Sequence, residues 1–266
     1  GHTWTEEMDG PPMAGGAQSV GFRDGGVYKP QGGLIPIEGE EDWYRMSVFE
    51  FPDDLMSWQT KGYKLYTPDH VTVLSHVHTP NSAKGKILEM PDGSLLMPIG
   101  GRFRGDVDVL RAYLVRSTDQ GKTWRYYSTM NYTPQDPAPQ LPGQYAGFDE
   151  QSLVLLPNGR MLGVLRTQYS HLAGEYRPLY VCWSDDLGKT WSEAEQTQPH
   201  LMNIWPTLEL LDNGAVACQY GRPGLHVAFS LDDGHTWQDR VSFSHMTDDV
   251  PGITGQFDMI KVGPNN

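Results

Sequence analysis

The octet STDQGKTW, Ser117–Trp124, recurs as SDDLGKTW at Ser184–Trp191 and as SLDDGHTW at Ser230–Trp237. All three follow S-x-D-x-G-x-T-W. A chain that repeats a short unit repeats the structure around it, so this pattern bounds the fold more tightly than any total. The octet reads as a tight turn. Its glycine takes the positive φ such a turn demands. The aspartate and threonine oxygens hydrogen-bond the turn's own backbone. The tryptophan offers a large apolar face to wedge between neighbouring sheets. The box aspartates are therefore structural, not catalytic or metal-binding. A weaker copy, Phe51–Trp58, keeps Asp53, Ser57 and Trp58 but has Leu55 where the glycine belongs. The opening GHTW matches Gly234–Trp237, so the chain is expected to begin partway through a repeat.

A second shared unit precedes each clear box. Lys86–Ile99, Gln151–Leu165 and Pro206–Tyr220 each read as strand, two-residue turn, strand, with Asp92-Gly93, Asn158-Gly159 and Asn213-Gly214 as the turns. An apolar run then enters the box. The unit is four antiparallel strands, and a four-stranded unit at this period predicts a β-propeller blade. No blade buries both faces alone, so several must close into a ring. Thirty glycines and twenty prolines among 266 residues suit many short strands and tight turns.

The net charge of −13 argues against nucleic acid and anionic lipid as general partners. No apolar run reaches the roughly 20 residues of a membrane span. Cys182 and Cys218 sit in apolar or alternating runs and read as buried strand thiols. Neither a metal site nor a cofactor is expected. His76 and His78 share a strand face, and His70 precedes them, but no third ligand has telling spacing, so they read as ordinary polar residues.

The hairpins also locate chemistry. Glu150 lies eight residues before Asn158 and Arg166 eight after it. Equal distances from a turn place two residues opposite each other at the open end of the hairpin, here predicted at one mouth of the axial channel. By the same ruler Trp205 lies eight before Asn213 and Arg222 nine after it, while Lys84 lies eight before Asp92 and Arg102 and Arg104 ten and twelve after it. Arginines converging on one mouth suit bidentate capture of a carboxylate. Two long loops beside the pair carry Tyr145, Tyr169 and Tyr176 as candidate sugar-stacking surfaces.

Hairpin and box recurring in order make the chain similar to the sialidase (neuraminidase) superfamily, whose six-bladed propellers carry this Asp box, or BNR repeat. The resemblance implies an all-β six-bladed propeller of four-stranded blades spanning 1–266 as one domain. Trp4, Trp58, Trp124, Trp191 and Trp237 then close the boxes of blades one to five. The chain is expected to be a fragment lacking most of blade one and part of blade six. The resemblance also implies that Glu150 activates a catalytic tyrosine and that Arg166 and Arg222 bind a substrate carboxylate. A third arginine and an acid/base aspartate would precede Gly1. A secreted or periplasmic location follows from the resemblance alone.

One departure counts against the usual chemistry. Where the superfamily carries its nucleophilic tyrosine, this chain has GQFDM, Gly255–Met259, with Gln256 in the tyrosine's place. Neither an amide nor the neighbouring Phe257 can form an aryl-glycoside intermediate. Hydrolysis would then use water activated by Glu150, with Asp258 or an aspartate outside the chain as the acid. Two main readings follow. One is an exo-glycoside hydrolase acting on a sialic or uronic acid. The other is a lectin-like propeller that keeps the pocket without the nucleophile. A lyase or neutral-sugar glycosidase on the same scaffold is a third.

Overall fold

The structure, a computed structural model, describes residues 20–21, 27–51, 58–68, 71–72, 82–83, 85–106, 109–130, 146–167, 178–202, 204–221, 224–243 and 259. Every regular element among them is a strand, and no helix there is long and apolar enough to cross a membrane. The architecture is a β-propeller, and its blades follow the repeats.

Numbered as in the repeats of the sequence, blade two holds β1 (Val20–Gly21), β2 (Val27–Pro36), β3 (Trp43–Phe51) and β4 (Gln59–Tyr66). Blade three has a broken inner strand of β5 (Val71–Thr72), β6 (Ser82–Ala83) and β7 (Leu88–Glu89), all antiparallel to β8 (Leu95–Phe103). It continues with β9 (Val109–Ser117) and β10 (Thr123–Thr129). Blade four is β11 (Ala146–Leu155), β12 (Met161–Thr167), β13 (Tyr180–Ser184) and β14 (Glu195–Gln196), and blade five is β15 (Thr207–Leu210), β16 (Val216–Gly221), β17 (Leu225–Ser230) and β18 (Gln238–Ser242). Blades four and five are plain antiparallel meanders. Trp4 and the residues assigned to blades one and six, Met259 apart, lie outside the described residues, as does the interior of the weak box at 52–57.

The strand period of two sorts side chains onto opposite faces, and each face meets a different neighbour. On β8, Leu95, Met97 and Ile99 pack toward Met46, Val48 and Leu65 of blade two. Leu96, between them, joins Phe148, Leu153 and Met161 of blade four. The other face of blade four, through Val154, Leu162 and Val164, meets Leu208, Val216 and Cys218 of blade five. β8 is buried throughout because it is covered on both sides. That explains its unbroken apolar run, LLMPI, where a one-sided strand would alternate. The outermost β18 is exposed throughout.

The boxes close these stacks. In the first, Ser117 Oγ donates to Asp119 Oδ1 at 2.8 Å and accepts from Gly121 N–H at 2.8 Å, while Thr123 N–H and Oγ1 donate to the two oxygens of Asp119 at 2.8 and 2.7 Å. The same four bonds recur in the boxes at Asp186 and Asp232. Trp124 then inserts between blades two and three, and Trp237 between blades four and five. Trp191 packs partly buried between blades three and four.

The hairpins differ from the two-residue turns expected of Asp-Gly and Asn-Gly. Leu156 N–H reaches Arg160 O at 2.8 Å and Gly159 N–H reaches Leu156 O at 2.9 Å, which defines a three-residue loop. Only its glycine has positive φ, 85°. This is a type I turn closed by a glycine bulge. The preceding proline suits the first central position of a type I turn through its fixed negative φ, and Asp212 takes that position in the same loop of blade five. Consecutive positive φ values occur in the boxes instead, at Gln120-Gly121, Leu187-Gly188 and Asp233-Gly234.

Trp124, fully buried, should cost about 3–5 kcal/mol of stability on change to alanine, and Trp191→Ala less, as read from urea midpoints. A pH effect should accompany the boxes. Burial tends to raise the Asp186 carboxyl, but hydrogen bonds from Thr190 and Ser184 outweigh it and hold the carboxyl at about 2. A lowered folded-state value adds stability above the unfolded value, roughly 3.9, and that stability is lost as pH falls toward 2. The stability gap between wild type and Asp186→Asn should therefore shrink when midpoints are measured at pH 2.5 instead of pH 5.

Candidate functional site

The site starts from the hairpin of blade four. Its register runs one-for-one from Leu155–Met161 to Gln151–Leu165, centred on Asn158. The next pair is Phe148–Thr167, so β11 carries one extra residue at this point. Asp149 and Glu150 together oppose Arg166. Such a bulge bends its strand and re-aims the side chains on it. Here it accompanies the predicted contact: Glu150 Oε2 accepts a hydrogen bond from Arg166 Nη1.

Both partners are buried, Glu150 at 7% and Arg166 at 6% exposure. The charges thus face each other at the end of the hairpin opposite the Asn158 turn. Among the described residues, buried Arg166 Nε has no hydrogen-bond partner. One edge of the guanidinium is therefore committed to Glu150 while a donor beside it is not.

Glycines let β11 reach this position. A Cβ on Gly100 of β8 would lie 2.0 Å from Asp149 Oδ1 and 2.7 Å from its carbonyl oxygen. A Cβ on Gly147 would lie 1.9 Å from Leu110 O, and one on Gly85 2.2 Å from Gln151 O. The strand carrying Glu150 is thus seated backbone-close against blade three. Gln151 Nε2 donates to Ile99 O at 2.9 Å on that side, and Ser152 Oγ accepts from Leu208 N–H at 3.0 Å on the blade-five side.

The other candidates fall out as follows. Arg102 is buried near the end of β8, at the same end of its blade as Arg166, and Arg104 beyond it is exposed. Trp205 is half-buried just before β15. Arg222, Gln256, Asp258 and Tyr169 lie outside the described residues, as do Lys84, Tyr145, Tyr176, Phe257 and the three histidines 70, 76 and 78. Cys182 and Cys218 are free and buried, and burial raises both thiols.

Two charged features escaped the sequence reading. Arg111 is buried on β9 and forks onto Asp106, Nε to Oδ2 at 2.9 Å and Nη2 to Oδ1 at 3.0 Å, over the Phe103 ring. It holds the β8–β9 turn and has a structural role. Lys86 of blade three forms an ion pair with Glu209 of blade five, past the inner strand of blade four. Lys86 and Glu209 lie on inner-strand segments ahead of their hairpin turns, so the ruler applied to Glu150 could have flagged them.

The comparisons agree with this architecture. The family model for the BNR repeat-like domain matches residues 36–254. No curated protein matches the chain. Among solved structures, a Dyadobacter fermentans protein of unknown function aligns at TM-score 0.62 and 18% identity, covering 91% of this chain and 69% of its own. An α-L-arabinofuranosidase from Fusarium graminearum aligns at 0.57 and 14%, covering 84% of this chain and 64% of its own. A Hadza microbial sialidase aligns at 0.53 and 17%, covering 82% of this chain and 42% of its own. The chain therefore spans less than two thirds of the length of the two named enzymes.

Breaking the pair tests its energetics. Arg166→Met leaves a buried carboxylate unpaired and should cost about 3–5 kcal/mol. Replacing both, Glu150→Leu with Arg166→Met, should recover much of that loss, as read from urea midpoints of the two variants.

Proposed function

The chain belongs to the BNR repeat-like domain family, and from that premise we propose that it is a sialidase-like exo-glycoside hydrolase acting on a terminal sugar that bears a carboxylate. The observation that carries this reading is the buried Glu150–Arg166 pair on the bulged end of the blade-four hairpin. A guanidinium held in place by a carboxylate at the open end of the hairpin suits the recognition of an anionic substrate.

In this reading Arg166 binds the substrate carboxylate. Arg222 is its second clamp and Arg102 an auxiliary one. Trp205 and Tyr169 flank the sugar. Glu150 takes a proton from water as the water attacks the anomeric carbon, and Asp258 or an aspartate outside the chain protonates the leaving oxygen. With Gln256 in the tyrosine's place, no aryl-enzyme intermediate forms, so the reaction proceeds by direct displacement with inversion.

A second reading is a non-catalytic, lectin-like propeller, and Gln256 is the feature that favours it. The fold alone does not choose between them, since the same architecture occurs in a sialidase and in an arabinofuranosidase.

A panel of aryl glycosides of sialic acid, glucuronic acid and arabinofuranose tests the proposal. The expected result is turnover of an acidic glycoside, a kcat at least about 100-fold lower in Glu150→Gln, and a raised KM in Arg166→Lys. Turnover confined to the neutral glycoside, or unaffected by Glu150→Gln, overturns it. Binding of acidic glycans without turnover selects the lectin-like reading.

A further inference from the structure

The repeat supplies an internal control for every inter-blade groove at the hairpin-and-box end, the end away from Glu150 and Arg166. Between blades four and five this groove is shut. Asn158 Nδ2 donates to Asp233 Oδ2 at 2.7 Å, Trp183 Nε1 donates to Asp233 O at 2.7 Å, and the Trp183 ring stacks on His235 with centroids 4.3 Å apart.

Between blades three and four the equivalent positions hold different residues. Asp92 stands for Asn158, Arg116 for Trp183, Leu187 for Asp233 and Lys189 for His235. Neither the amide–carboxylate bond nor the ring stack can form with this set. Arg116 turns instead onto the hairpin, bonding Asp92 and donating Nε–H to Ser94 Oγ at 3.0 Å, with its guanidinium 5.4 Å from the Tyr127 ring centroid. The space left behind is a cavity of about 140 Å³. Leu187 stands at its rim, 40% exposed and at φ 60°, a conformation uncommon for a leucine. Gln120 and Asp233 occupy the same position in the other boxes.

We propose that this cavity is a second, non-catalytic glycan site that takes one anionic sugar unit. Its volume far exceeds the roughly 30 Å³ share of a single water and falls short of the roughly 300–1,000 Å³ of larger ligand pockets. That suits one ring. Met90 and Leu96 form a buried apolar floor for the C–H face of a sugar. Arg116, Lys189, Asp92 and Ser94 supply polar groups where hydroxyls would point. Arg116 is committed to Asp92, so the exposed Lys189 ammonium is the cation left to meet a sugar carboxylate, and it favours an acidic sugar over a neutral one. The site stands independently of the reading of Glu150 and Arg166.

The Met90 methyl is a reporter inside the cavity. In protein carrying 13C-methyl methionine, assigned with Met90→Leu, titration with glucuronic acid should shift that resonance saturably. Glucose should bind about tenfold more weakly, and Lys189→Gln should weaken glucuronate by about tenfold, the size of one charge-assisted hydrogen bond. Arg116→Trp with Lys189→His, which copies the closed groove, should abolish the shift. Glu150→Gln should leave it unchanged. A methyl that no probe moves, or that sulfate or glucose moves as strongly as glucuronate, overturns the proposal. The exposed Lys189→Gln substitution keeps the test valid if the double variant folds poorly.

Discussion

Each blade of this protein depends on its neighbours to dehydrate its faces. A four-stranded sheet with apolar side chains on both sides has no stable existence alone, and the stacking of blade on blade removes both faces from water at once. The box tryptophans drive this home at the outer ends of the stacks. Each is held by a turn whose serine, aspartate and threonine satisfy one another's hydrogen bonds. Wedge and anchor are therefore built from the same eight residues, which is why they recur as a unit.

The site draws on the same economy of parts. Inner strands are seated so close that glycines are needed where backbones meet, at Gly85, Gly100 and Gly147. The bulge in β11 then lets two residues share one partner, and one of them reaches Arg166. Rigid neighbours on both sides, through Gln151 to blade three and Ser152 to blade five, leave the acid little freedom to drift. Geometry of this kind comes from backbone packing as much as from the charged side chains.

Much of this was legible in the residues because the repeat carries its own alignment. The turn dipeptides located the hairpins, and counting outward from Asn158 paired Glu150 with Arg166. The turn dipeptide alone does not reveal the three-residue loop, which forms with proline before Asp92-Gly93 and Asn158-Gly159 and equally with Asp212 before Asn213-Gly214. A two-residue turn would centre between Asn158 and Gly159 and set Glu150 opposite Thr167, whereas the three-residue loop centres on Asn158, so counting outward from that residue leads to Arg166. The bulge was not legible: it falls in the polar run Asp149–Ser152, where no apolar alternation marks the register. Arg111 was hidden for a different reason, since its partner Asp106 lies across a turn whose geometry no dipeptide announces.

The Lys86–Glu209 ion pair spans a chord of the ring, from the third blade to the fifth with the fourth between them. The separation of two such inner strands is set by curvature, being shorter in a tight circle and longer in a flatter one. A contact of fixed reach across that chord favours one radius over others. Two charges on blades that are not neighbours thus resist any hinge that would splay the third blade from the fifth.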